Sequence, residues 1–161
     1  MALALAIPLL GALALYAIWV RVGQYGWTPA RLMAVTVALV VIGYGLAYGG
    51  AVLARTGWAA RIRQANIVMA LVILALCAVW LSPVLVPERI SARSQEARFL
   101  ATGDLPDLPV WELARDWGQP GRAALARLEA RTESPDHAAL IEQIRLARSS
   151  DNRWAMANRL S

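Results

Sequence analysis

Few side chains in this chain can do chemistry, and their spacing decides which chemistry that would be. Tyr16, Tyr44 and Tyr48 place three hydroxyls in otherwise apolar sequence. Tyr44 and Tyr48 are four residues apart, so on a helix they share a face. Together with Tyr16 they would line a polar cavity for a substrate. A tyrosine in such surroundings more often bonds a backbone or interfacial group and does nothing else. Asp104 and Asp107 flank a Leu-Pro pair and could serve acid–base work or hold a divalent ion. Catalytic carboxylates need fixed geometry, however, and TGDLPDLP (102–109) reads as a turn-rich linker. Cys77 is the only cysteine and His137 the only histidine. They stand in different environments, so they predict neither a metal-ligand set nor a Cys–His nucleophile. No phosphate loop, dinucleotide, zinc-protease or serine-hydrolase fingerprint occurs. The sequence offers no catalytic residue, no metal site and no cofactor, and points away from an enzyme.

The elements that carry these residues are set by a sharp division of charge. Of 161 residues, 58% are hydrophobic and the mean hydropathy is +0.47, both high for a water-soluble domain. Residues 1–87 hold no acid and five arginines, net +5; residues 88–161 hold eleven of each, net 0. The basic excess therefore lies wholly in short segments between apolar runs. That pattern belongs to membrane proteins rather than to nucleic-acid binders, which cluster basic residues on a soluble face. No nucleic-acid partner is expected.

Three apolar runs are each long enough to cross a bilayer, at about 20 residues per crossing. They cover residues 2–20, 32–54 and 67–86, and none contains a charged residue. Trp19, Trp27, Trp58 and Trp80 fall near their ends, where interfacial aromatics belong. The first run lacks the basic flank and cleavage site of a secretory leader. Pro8 and Gly11 could kink it, which membrane helices tolerate. In the second run Gly45 and Gly49 form a GxxxG pair, which lets helix backbones approach closely. The expected use is packing against another span of the same chain. A second copy is the alternative partner for that face.

Between the first two runs the chain reads RVGQYGWTPAR (21–31). Gly23 and Gly26 permit a reversal, Thr28 can cap the next helix, and Pro29 suits its first turn. Tyr25 and Trp27 fit headgroup depth, and Arg21 faces lipid phosphates. Gln24 and Arg31 are the two residues that a plain hinge does not require. They are the candidates for any further role of this loop.

Residues 88–161 read as a chain of amphipathic helices. Good start signals precede Leu140: Ser134 as cap, Pro135 at the first helical position and Asp136 in the first turn. The apolar stripes are modest, which predicts small hairpins, or packing on a membrane surface or a partner. Glu112 with Arg115, and Glu129 with Arg122, read as solvated pairs. Three spans put the 21–31 loop and the tail on one side. Five arginines near span ends on that side, against three on the other, favour a cytoplasmic tail.

The loop also carries a resemblance. Arg21, Gln24, Tyr25, Gly26, Trp27, Thr28, Pro29 and Arg31 match the "R-x-x-Q-Y-G-W-T-P-x-R" of a bacterial inner-membrane family, domain of unknown function 4153. LSPVLVPERISARSQEARFLATG (81–103) is similar to the segment just after that family's last span, and GQPGRAALARL (118–128) is similar to the next block. The likeness covers roughly residues 10–130. It implies a multi-pass protein of the inner membrane, matched here at the C-terminal end of a longer chain, and supplies no activity or catalytic residue.

The expectation is thus an all-α integral membrane protein. Its transmembrane helical domain is 1–87 and its polar helical tail 88–161, with a linker at about 102–109. Its partners are the lipid bilayer and a protein contacted through the tail or the Gly45/Gly49 face. The role expected is a non-enzymatic scaffold or subunit. The alternative is a C-terminal piece of a larger transporter or lipid-handling membrane enzyme.

Overall fold

In a computed structural model the described residues are 2–53, 57–83, 85–131 and 136–160. The side chains at 2–5, 52, 58 and 160 fall outside that description. So do three expectations from the sequence: Arg55 in the charge count, the ring of Trp58, and the Ser134–Pro135 helix start. Every regular element among the described residues is a helix: α1 (Ala2–Tyr25), α2 (Pro29–Leu53), α3 (Trp58–Leu81), α4 (Pro87–Thr102), α5 (Gly118–Glu129), α6 (His137–Ser149) and α7 (Arg153–Leu160).

Two compact units result, Met1–Gln24 with Ala30–Val86, and Tyr25–Pro29 with Pro87–Ser161. The first is the three long helices. Their apolar stretches, Ala6–Tyr25, Pro29–Ala51 and Ala59–Leu81, have 20, 23 and 23 residues. At 1.5 Å per residue these are ~30 to ~35 Å long, enough to cross the hydrocarbon core. Few of those residues are buried, and Leu9, Leu10, Trp19, Leu46, Leu71 and Leu74 are all exposed. In water that surface would far exceed the apolar patch a soluble monomer tolerates. In lipid it is the ordinary outer face, with every backbone group satisfied inside its own helix.

The helices run past the apolar runs. Arg21 lies in the last turns of α1, Arg31 in the first turn of α2, and Arg61 and Arg63 in the first turns of α3. The apolar stretches are therefore not free of charge. Their arginines sit near helix ends, where long side chains can reach the interface. α3 ends at Leu81, so residues 82–86 leave the third span.

The second unit has a core of its own, a firmer result than the hairpins expected from the modest stripes. Ala92 and Phe99 of α4, Leu105 and Leu108 of the connection, Leu113 and Trp117, Leu125 and Leu128 of α5, and Leu140 and Ile144 of α6 close on one another. The stretch 102–109 is pinned rather than loose: Leu105 and Leu108 enter the core, and Arg98 on α4 pairs with Asp107 at 2.7 Å. Asp136 immediately precedes α6 rather than standing in its first turn.

Cross-helix polar contacts complete this unit, and they differ from the near-neighbour pairs expected. Arg115 turns away from Glu112 and donates to the carbonyls of Ala147, Arg148 and Ser150, closing the C-terminal end of α6. Glu112 pairs instead with Arg153 of α7, and Glu129 with Arg148 of α6. Arg127 of α5 donates to both carboxylate oxygens of Glu96 on α4, which raises the guanidinium pKa above its usual value.

A single π-helical turn, Glu112–Asp116, swings Trp117 into the core. α5 then crosses so close that a Cβ on Gly121 would collide with the Leu113 carbonyl. Backbone cannot rotate away as a side chain can. Gly121→Ala should therefore lower the stability of the full chain by about 1–3 kcal/mol, the usual cost of overpacking. Denaturant unfolding in detergent, followed by tryptophan fluorescence, measures this. An unchanged midpoint would show that the crossing relaxes freely.

Candidate functional site

The turn between α1 and α2 is built by residues that stand about 70 positions away. It has only three non-helical residues, Gly26, Trp27 and Thr28, so most of RVGQYGWTPAR is helix. Gly26 takes a φ of 69°. L-residues rarely adopt that left-handed value, and glycine does so without penalty. Gly23 lies inside α1 and takes no part in the reversal. Thr28 directly precedes Pro29, the first residue of α2, where a missing N–H leaves no intrahelical bond unmade.

A helix end leaves orphan carbonyls, and a tight turn adds more. Here α4 supplies the partners. Gln95, only 2% exposed, donates from Nε2 to the carbonyls of Tyr25 (2.8 Å) and Trp27 (3.0 Å). The Trp27 N–H donates to Ser94 Oγ at 3.0 Å. Arg98, one turn further along α4, lies 5.9 Å over the Tyr25 ring, a cation–π contact. A Cβ on Gly26 would come within 2.9 Å of Gln95 Nε2, so this glycine also leaves room for the carboxamide. Ser91, one turn before Gln95, is fully buried and its hydroxyl finds no partner among the described residues.

Ser94 and Gln95 thus both bond the turn. Gln24 stands exposed in the last turn of α1, and Arg31 half-buried in the first turn of α2. No motif or spacing in the sequence points to Ser94 and Gln95. SARSQ is simply a polar run, although a buried glutamine is costly unless paired. Only the knowledge of what faces it could single it out.

Among the three long helices the small residues do close packing. Gly45 faces the Pro8 ring and Ile7 of α1, and Gly11 of α1 faces Ile42 of α2. Gly43 faces Met69 of α3. Gly49 is buried, but a Cβ there would meet nothing within 4 Å. Gly45 therefore packs within the chain, with Gly11 as its working companion.

The tyrosines divide similarly. Tyr44 and Tyr48 have ring centroids 5.9 Å apart, while Tyr16 is 66% exposed on α1. The Tyr48 hydroxyl donates to Asn66 Oδ1 of α3, a polar residue just outside the third apolar run of the sequence. Cys77, exposed on α3, borders an apolar groove of about 430 Å³ with Met33, Val37 and Val41 of α2.

One family model, described as Domain of unknown function (DUF4153), matches residues 1–128. No curated protein and no solved structure gives a match.

The Gln95 contact makes a clear prediction. Gln95→Leu keeps much of the volume but leaves two carbonyls without their donor, at roughly 1–3 kcal/mol for each unsatisfied buried group. The full chain should melt earlier in detergent, and the Trp27 amide should exchange faster with deuterium. Retained protection at Trp27 would mean that the turn holds its shape without α4.

Proposed function

The chain belongs to the family described as Domain of unknown function (DUF4153), and from that premise we propose that it is a non-enzymatic membrane scaffold whose helical tail presents a fixed surface to a protein partner. That it is a membrane protein follows from its three long apolar helices. The scaffold role rests chiefly on one observation: Trp154 is held outward on a braced element. α7 is fixed to the tail core by Met156, 7% exposed, and by the Arg153–Glu112 ion pair, yet Trp154 beside them is 81% exposed. An exposed tryptophan on a rigid support is the residue type that anchors protein interfaces.

The membrane proposed is the bacterial inner membrane, with the tail on its cytoplasmic face. The support is the arginine count beside the span ends. Alkaline phosphatase fused to the tail should stay inactive and a fluorescent protein should fluoresce; active phosphatase would reverse the orientation. For the partner, a photo-crosslinking amino acid placed at Trp154 should yield one discrete protein adduct in cells. The same group at Arg122, also exposed in this unit, should yield none. Adducts at both positions, or lipid adducts alone at Trp154, would remove the scaffold reading.

A further inference from the structure

α4 and α5 enclose a cleft of about 300 Å³ lined by Arg89, Ala92, Arg93, Gln119, Pro120, Ala123 and Arg127. None of the seven is acidic. Arg89 and Arg93 lie four residues apart on α4, where like charges repel, and neither makes a hydrogen bond or ion pair among the described residues. Arg89 also stands in the first turn of α4, where a cation opposes the helix dipole. Arg127 engages Glu96 through Nε and Nη2, which leaves its Nη1 group unused. Gln119 and Pro120 belong to the first turn of α5, so a second helix N-terminus borders the same space.

Two guanidinium groups with no acidic partner among the described residues, beside a third that Glu96 engages on one edge only, form an arrangement that favours an added anion. Guanidinium matches phosphate oxygens in charge and in fork geometry. The volume lies at the lower end of small-molecule sites. We infer that this cleft binds a phosphate-bearing group, held by Arg89 and Arg93 from α4 and by Arg127 from α5. Two sources share that chemistry, an anionic phospholipid headgroup and a soluble phosphate compound. In sequence, Arg89 and Arg93 come eight and twelve residues after the end of α3. Basic residues just beyond a membrane helix commonly meet anionic lipid. The inference does not depend on the partner proposed for the tail.

The test uses the full chain purified in an uncharged detergent. Short-chain phosphatidylglycerol and, separately, inorganic phosphate are titrated against it, and binding is read from tryptophan fluorescence and native mass spectrometry. The double variant R89Q/R93Q should fold, since neither arginine has a partner to lose among the described residues, and should bind roughly tenfold or more weakly. The double variant R122Q/R131Q removes the same charge from exposed positions outside the cleft and should bind as the unmodified chain does. Saturable binding of phosphatidylglycerol alone identifies a lipid headgroup. Binding of inorganic phosphate, with R89Q/R93Q defective, identifies a soluble ligand. No binding of either probe, or equal loss in the two double variants, overturns the inference.

Discussion

A single carboxamide on α4 holds the turn around Gly26. A buried amide must donate both its hydrogens or lose the free energy of desolvation, and a tight turn must find donors for its carbonyls. Gln95 answers both demands at once by bridging Tyr25 and Trp27. Without it, the Tyr25 and Trp27 carbonyls would each lose a donor. Ser94 supplies the matching acceptor for the Trp27 N–H. The second unit thus includes the five residues Tyr25–Pro29, from the end of α1 to the start of α2.

The two units are stabilised by different physics. The three long helices bury little within themselves, so their association relies on close backbone approach, with Gly45 receiving the Pro8 ring and Gly11 receiving Ile42. The Tyr48–Asn66 hydrogen bond adds a directional contact between α2 and α3. The tail works by water exclusion, as a soluble domain does. Leucines from four elements fill its core, and arginines with glutamates tie the outside together. The most constrained point there is Gly121, where one backbone lies directly on another.

The range of each interaction decides how legible it was in the sequence. The three apolar helices were plain because hydrophobicity over some 20 residues is a local property. Their ends were not, since helix formation continues through Arg21 and Gln24 until Gly26 breaks it, and begins again at Pro29 and Trp58. The Glu112–Arg115 pair inferred from i, i+3 spacing failed where a more distant acceptor was better. Arg115 reaches three carbonyls at the end of α6, which offer a dipole as well as lone pairs. GxxxG named Gly45 but missed Gly11, because complementarity belongs to two helices and a motif describes one. Gln95 lies furthest from any sequence signal, its partners being 70 and 68 residues away.

The same long separation ties the turn to membrane insertion. The Trp27–Ser94 and Gln95–Tyr25 bonds can form only if residues 25–29 and α4 emerge into the same compartment. α2 and α3 lie between them, so an even number of crossings is required, and two satisfy it. A chain in which α3 failed to insert would strand Ser94 and Gln95 across the bilayer from the turn. The turn carbonyls would then lack their donors, and the tail would lack five of its residues. Correct threading is thereby coupled to completion of the tail, and a misthreaded chain remains an incompletely folded one, open to proteolysis.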